Sequence, residues 1–594
     1  MCGIAGFFRP GFDLGSVTSA GPAGSAGPHR AHFASSSDPS DRAALAAMVD
    51  ALSHRGPDGR GLLLAGPFAL GHARLAILDL AGGRQPIWNE DRTAAVVVNG
   101  EIYNYRELRR GLEQRGHRFA TDSDCEVVVH LYEEEGEACV ARLRGMFALA
   151  LADLKRRRLL LARDRLGKKP LYITEGAGPG HRIGFASELK ALTAGGLLAS
   201  DIDPEAVDLY LTLGYVPCPW TIFRGARKLA PGHYAVCDAA GLRTVRYWDL
   251  EFAPPGEADA AAEAGLEELI DEAVRLRLAS DVPLGAFLSG GIDSGTVVSF
   301  MAAAMDLPVA THTVGFDDPA LDERPDAAAV ARALGTDHQE TAVHPELADL
   351  LPKIAWHLDE PFADPSAVPT WYVSQETRRR VTVALSGDGG DELFAGYVDR
   401  YAMHLAEDRL RPWIPGPLRR LALPALARQW PRSPRVPRAL RLGGLFENLS
   451  LDSDRAYLRD QSVLPPHVRA RLGGTAAAPG FEPFAALAPH FERAPEGDPL
   501  ARALYLDVKT WLADGILVKV DRMSMAHALE VRCPLLDHRV AELAARLPSA
   551  AKLAGGRGKL PLRRLAARRL PAEILERPKR GFLPPVSRWL RHDL

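Results

Sequence analysis

From about Ala260 to Ser386 the sequence alternates short apolar strands with helical stretches, and this rhythm limits the fold more than any other feature. It predicts a helix over 262–279, a strand over 282–288, a helix over 294–305, a strand over 309–315, a helix over 324–334 and a strand over 338–343. Helices over 346–358 and 369–378 then lead to a strand over 380–386. A strand that rejoins a parallel neighbour needs a crossover of about a dozen residues or more, and helices of this length provide it. The expected product is an α/β domain with a doubly wound parallel sheet, whose ligands bind at the carboxyl ends of the strands. After about residue 400 the chain becomes helical and rich in Arg and Pro.

The first 200 residues read differently. Residues 3–9 form an apolar strand, and short strands recur from Gly61 to Tyr172, interrupted by helical pieces at 104–115 and 124–134. A helix capped by Ser40 or Asp41 runs to about Ser53, with Leu45, Met48, Val49 and Leu52 on one face. This pattern predicts sheets packed with helices. Gly11–Pro39, rich in Gly, Ala, Ser and Pro, reads as a flexible, dispensable surface insertion. Two domains are expected, 1–200 and 201–594, with 198–207 as the connection.

Composition excludes several functions. A net charge of −3 argues against a general nucleic-acid binder and against a polybasic membrane protein. No stretch approaches the ~18 consecutive apolar residues of a membrane span, and MCGIAGFFRP lacks the features of a signal peptide. The six cysteines show no Cys-x-x-Cys pair and no Cys/His cluster at zinc spacing, so neither a disulfide framework nor a structural metal is expected. A reduced, cytoplasmic enzyme acting on small molecules is the expectation.

Cys2 follows the initiator Met. Removal of Met1 leaves a cysteine whose α-amine has a pKa of ~7.7–8.0, so base and thiol nucleophile sit on one residue. Cys2 alone would read as a small apolar residue starting a strand. Its companions are His54-Arg55-Gly56-Pro57-Asp58, Arg74-Leu75, Asn99-Gly100-Glu101-Ile102-Tyr103-Asn104 and Ser123-Asp124-Cys125-Glu126. With RD-x-x-G-x-KPLY and FASELKAL, these ordered motifs resemble the glutamine-hydrolysing domain of class II amidotransferases, in the asparagine synthetase subgroup. The resemblance implies an N-terminal-nucleophile α+β sandwich. It also implies Cys2 as nucleophile, Asn99 and Gly100 as oxyanion donors, Arg74 for the glutamine α-carboxylate, and Glu101 and Asp124 for its α-ammonium. Arg55 and Asp58 could simply hold their turn, and His54 is left unassigned.

A second group of motifs lies on the parallel sheet. Leu288-Ser289-Gly290-Gly291-Ile292-Asp293-Ser294 is a glycine-rich strand-to-helix turn, though not a G-x-x-x-x-G-K-[ST] loop, and its backbone N–H groups make an anion nest. It resembles the loop of ATP pyrophosphatases. Ser386-Gly387-Asp388-Gly389-Gly390-Asp391 follows the strand over 380–386. DEPFADPS at 359–366, DRM at 521–523, LEVRCPLLD at 529–537 and KRGF at 579–582 extend the resemblance over nearly the whole chain. It implies nucleotide contacts at Leu288, Ser289, Gly290, Gly291, Asp293, Ser294, Ser386, Gly387 and Lys579. Asp293 and Asp391 would hold Mg²⁺, and Asp388 would be the base for ammonia attack. Residues 551–594 hold twelve Lys/Arg against three Asp/Glu. All but Lys579 read as a solvated tail.

The resemblance therefore implies an ATP- and Mg²⁺-dependent enzyme that passes ammonia from glutamine through an apolar tunnel to aspartate activated as β-aspartyl-AMP. A homodimer is a further implication. The same mechanism on another carboxylate, in surface-polysaccharide or secondary metabolism, is the nearest alternative. A non-catalytic scaffold and an RNA-modifying enzyme fit the motifs less well.

Overall fold

The structure is a computed structural model and describes the chain apart from residues 1, 11–31, 34–37, 176–180, 255–259, 317, 319–320, 345, 432–441, 473–479, 577–583, 586–588, 590 and 592–594. Its first part is a sandwich of two sheets. β1 (Gly3–Phe8), β2 (His32–Phe33), β3 (Gly59–Ala65) and β4 (Phe68–Arg74) come first. β5 (Ile87–Trp88), β6 (Ala94–Ile102), β7 (Gly145–Asp153) and β8 (Arg158–Arg163) follow. Then come β9 (Tyr172–Thr174), β10 (Ile183–Ala186), β11 (Ala226–Lys228), β12 (His233–Asp238) and β13 (Gly241–Arg246). One sheet has the order β11-β9-β10-β1-β4-β3-β2 and the other β13-β12-β8-β7-β6-β5, antiparallel except for β2 beside β3.

Alternation along β6 sets the layers. Ala95 and Val97 pack with Ile4, Phe68, Leu161 and Phe185 between the sheets. Val96 and Val98 join Leu108, Leu112, Val127 and Leu131 of α2 (Tyr105–Gln114) and α3 (Glu126–Glu135), which cover the outside. On the other outer face, α1 (Pro39–Asp50) and α4 (Leu189–Ala194) bury Leu45, Met48, Val49 and Leu189. The helices agree with expectation except at the cap of α1. Asp38, not Ser40 or Asp41, accepts from Ser40 N, and Pro39 fills the first helical position, where no donor is needed. Most of the expected insertion lies outside the described residues, but His32–Phe33 pairs with Leu63–Leu64 and belongs to a sheet.

The sandwich also extends beyond residue 200. After α5 (Pro204–Leu213), β11 pairs with β9 and β12 with β8, so the chain returns to cover two sheet edges. The expected boundary thus falls before the last three strands of these sheets.

The parallel sheet follows the expected alternation to within three residues, except that its first helix begins four residues late. Its elements are α6 (Leu266–Arg277), β14 (Leu284–Phe287), α7 (Ile292–Ala304), β15 (Ala310–Gly315), α8 (Arg324–Leu334), β16 (Asp337–Ala342), α9 (Leu347–Leu358), α10 (Ala367–Arg378) and β17 (Val383–Leu385). The order is β16-β15-β14-β17-β18, where β18 (Glu530–Arg532) is a strand the sequence did not announce. From β14 the chain winds one way to β16 and then returns to β17 on the other side. The direction therefore reverses between β14 and β17, and a crevice opens there at the carboxyl ends. No helix among the described residues is long and apolar enough to cross a membrane.

Candidate active site

Two chemically distinct regions emerge, one at the end of β1 and one at the crevice. Register fixes the first. Gly3 pairs with Ala73, so Arg74 stands across from Cys2. Cys2 N donates to Asn99 Oδ1 at 3.1 Å, which ties the start of β1 in one sheet to β6 in the other. Ser187 accepts from Asn99 Nδ2 at 3.5 Å and from Ile4 N at 3.0 Å, a clamp that sequence reasoning missed. Position 100 admits only glycine. Its φ is +150° and a Cβ would lie 1.9 Å from Met146 O. Burial pushes the Cys2 thiol up, and the carboxylates of Glu530 and Glu101 push the same way.

Glu101 and Asp124 come together beside Cys2, both buried. Burial raises both carboxyl groups, Asp124 to about 6, and their mutual repulsion lifts Glu101 further. Asp124 Oδ2 accepts from Ile102 N at 2.7 Å. The opposite wall comes from the other half of the chain. Arg532 of β18 lies 3.5 Å from Glu101 Oε2, and its Nε donates to Glu530 Oε1 at 2.6 Å. Positive neighbours including Arg532 hold the Glu530 carboxyl down at about 2 despite its burial. Arg74 donates to the carbonyls of Leu78, Asp79 and Leu80, at 3.3, 2.6 and 3.0 Å. Asp58 holds its turn by accepting from Ala76 N at 2.9 Å. Arg55 does more: Nε donates to Cys2 O at 3.1 Å, while Nη1 and Nη2 reach Asp521 at 2.8 and 3.0 Å.

At the crevice lies a cavity of about 1330 Å³ lined by both glycine-rich loops. Leu288, Ser289, Gly290, Gly291, Asp293 and Ser294 come from the first, and Ser386, Gly387, Asp388 and Asp391 from the second. Within the first loop, Gly291 N donates to Ser289 Oγ at 3.2 Å and Ser289 N to Ser294 Oγ at 3.1 Å. The loops touch closely, since a Cβ on Gly387 would sit 2.6 Å from Ser294 N. Asp293 and Asp391 both contact Lys559 Nζ, the latter at 2.6 Å. Two neighbouring carboxylates in the cavity are hard oxygen donors of the kind Mg²⁺ prefers, so the donor set is compatible with that ion. Burial raises the Asp388 carboxyl, which accepts from Ser386 Oγ at 2.6 Å.

Lys579 lies outside the described residues. Lys559 stands at the loops instead, and the sequence had assigned it to a solvated tail. That assignment is corrected for the described part of 551–594. The helix Leu560–Ala566 buries Pro561, Leu562, Leu565 and Ala566, and so carries Lys559 inward. On the same cavity wall, Lys519 Nζ contacts Asp364 Oδ2 at 3.0 Å and Ser366 Oγ at 2.7 Å. Neither lysine had a sequence signal beyond its charge.

A small cavity of about 10 Å³ lies between the two regions, lined by Met146, Lys168, Lys169, Leu517, Val520, Asp521, Val531 and Cys533. Met146 pairs with Glu101 across β6 and β7, and Cys533 Sγ lies 3.4 Å from Ser386 Oγ. Residues of both regions therefore flank it. Its lining mixes apolar Met146, Leu517, Val520 and Val531 with Lys168, Lys169 and Asp521.

A sandwich with a cysteine at the start of its first strand, fused to a doubly wound parallel sheet with glycine-rich loops at its crevice, is the architecture expected of a glutamine-dependent carbon–nitrogen ligase. Comparison with known proteins agrees. Residues 27–248 match the glutamine amidotransferase domain family and residues 265–594 match the asparagine synthase family. A relative from Mycobacterium tuberculosis is 38% identical over 574 residues, covering 92% of this chain and 85% of its own. Asparagine synthetase [glutamine-hydrolyzing] 1 of Bacillus subtilis is 35% identical, covering 92% and 84%. The amidase chyE of Penicillium rubens is 30% identical, covering 91% and 84%. The chain belongs to the glutamine-hydrolysing asparagine synthetase family. Its two halves imply glutamine and ATP as substrates.

Proposed function

We propose that the acceptor is aspartate: aspartate, ATP, glutamine and water give asparagine, AMP, pyrophosphate and glutamate through β-aspartyl-AMP. The observation that carries this reading is the Lys519–Asp364–Ser366 group on the wall of the large cavity. An α-amino acid needs a cation for its carboxylate and an anion for its ammonium, and here the two stand side by side.

At the other region, loss of Met1 would free the Cys2 α-amine, which Asn99 Oδ1 is placed to orient. The thiol, raised by burial, needs a base at the moment of attack, and the amine supplies it. Asn99 and Gly100 would receive the oxyanion, each donor contributing ~3–4 kcal/mol. Arg74 would take the glutamine α-carboxylate, and Glu101 and Asp124 its α-ammonium. Ammonia would then move through the small cavity, whose volume suits one water-sized molecule. Asp388, its carboxyl raised by burial, would accept the proton as ammonia attacks the acyl-adenylate. Asp293 and Asp391 would hold Mg²⁺, which neutralises charge on the pyrophosphate, and Lys559 would add positive charge to that group.

The test combines purified protein with glutamine, ATP, Mg²⁺ and aspartate, and follows asparagine and AMP by mass spectrometry. Cys2→Ala is expected to lose asparagine formation from glutamine and regain it with added ammonia. Glutamate formation without asparagine or AMP would reject aspartate and favour another carboxylate, as in the amidase-named relative.

A further inference from the structure

Outside both regions, four side chains from three elements meet on the outer side of the second sheet. Glu90 lies in the turn between β5 and β6, His117 between α2 and α3, and His130 and Glu133 one turn apart on α3. Glu90 Oε1 is 3.2 Å from His117 Nδ1, and Glu90 Oε2 is 3.2 Å from His130 Nδ1. Glu133 Oε2 is 3.3 Å from His130 Nδ1 and 3.8 Å from His117 Nδ1. One ligand atom from each of the four lies within 4.8 Å of the other three, and a tetrahedron of Zn–N and Zn–O bonds of about 2.0–2.1 Å has edges of about 3.3 Å, so a small inward movement of these side chains would close a tetrahedral site.

The surroundings fix the same atoms in place. His130 Nε2 faces Glu126 Oε1 at 3.4 Å and His117 Nε2 faces Glu134 Oε1 at 3.2 Å, so each ring turns Nδ1 toward the centre and Nε2 toward an outer carboxylate. This carboxylate–histidine arrangement sets tautomer and ring angle around protein-bound metals. Glu126 is itself held by Ala120 N at 2.6 Å and Thr121 N at 2.7 Å. Glu133 Oε1 accepts from Asn89 Nδ2 at 2.7 Å, and Glu90 Oε1 from Arg118 N at 2.8 Å. Moreover, each imidazole has a carboxylate oxygen beside both nitrogens. A neutral ring has only one N–H, so a cation at the centre satisfies both rings at once.

We propose that Glu90, His117, His130 and Glu133 form a binding site for a divalent transition-metal ion of the zinc class, ligated through His117 Nδ1, His130 Nδ1 and one carboxylate oxygen of each glutamate. Two imidazoles and two carboxylates suit zinc better than magnesium or calcium, which prefer all-oxygen sets. The ion would clip the β5–β6 turn to the helical layer that covers the second sheet. Only His130 and Glu133 are near in sequence, three residues apart on α3; Glu90 and His117 come from other segments, so the four form no recognisable metal-binding spacing.

The test uses untagged, full-length protein stripped with a chelator and titrated with Zn²⁺ by calorimetry in the absence of ATP, with Co²⁺ as a spectroscopic probe. One equivalent per chain and a visible Co²⁺ band of tetrahedral type are expected. His117→Ala and Glu133→Gln are each expected to weaken binding at least tenfold, abolish the Co²⁺ band and leave glutamine hydrolysis unchanged. Glu90→Gln is a further variant should His117→Ala fold poorly. Failure to bind Zn²⁺ saturably, or binding of equal affinity in all three variants, would overturn the proposal and leave a cluster of imidazolium–carboxylate ion pairs.

Discussion

On the proposed binding mode, the Asp124 carboxyl ties the glutamine site to pH. Its pKa, raised to about 6, means that the group loses its charge as the pH falls through that value. The α-ammonium of glutamine would then lose a partner. The KM for glutamine is expected to rise between pH 7 and pH 5, while ammonia-dependent synthesis shows no matching change. Asp124→Asn should raise that KM about tenfold or more at pH 7.5 and flatten its pH dependence. Steady-state hydrolysis at several pH values checks both. Ser187 offers a milder test. Its hydroxyl holds both Ile4 N and Asn99, and loss of one such bond is worth about 1 kcal/mol, so Ser187→Ala should slow hydrolysis roughly fivefold.

At the scale of elements, the crevice depends on two loops being able to touch. β14 and β17 are in register, with Leu284 beside Val383 and Ala286 beside Leu385, so the loops that follow leave the sheet side by side. Gly387 lets them meet. The Cβ of an alanine there would strike backbone atoms, Ser294 N at 2.6 Å and Asp293 C at 2.7 Å, and backbone cannot swing aside as a side chain can. Gly387→Ala should therefore lower ATP–pyrophosphate exchange by ~10²-fold, the scale of an ångström misplacement at a reacting centre. Glutamine hydrolysis should stay within about twofold. A variant that kept full exchange activity would show that the loops do not need this contact.

For the whole molecule, the question is how two halves act as one: a single apolar cluster spans them, with Leu75, Tyr103 and Met146 of the first in the same core as Leu529 and Val531 of the second. Buried charges join them. Arg55, Asp521 and Glu188 form a network that also holds the Cys2 carbonyl, and Arg144 of the first half reaches Asp537 of the second at 2.9 Å. Removing one member of a buried pair costs ~3–5 kcal/mol, because it leaves the other charge unpaired. Asp521→Asn should lower stability by that order in urea denaturation. It should also raise the glutamate formed per amide product, since Asp521 lines the cavity between the regions.

The sequence by itself determined much of this protein. Apolar periodicity located the parallel sheet's helices and strands, because a buried helix or strand must show its period in its own residues. The glycine-rich loops were legible as strand-to-helix turns, whereas the residues around Cys2 were legible only through ordered motifs that resemble a known family, because Cys2 alone reads as a small apolar residue. Tertiary structure decided what depended on distant partners. β18 has only three residues, and its identity as a strand comes from pairing with β17. Strands 226–246 joined the first sandwich because its edges were open. Lys559 left the apparent tail because the apolar face of the next helix had to be buried, and that burial set its ammonium between two aspartates. The same principle governs Glu90, His117, His130 and Glu133: a site assembled across elements exists only once those elements are packed together.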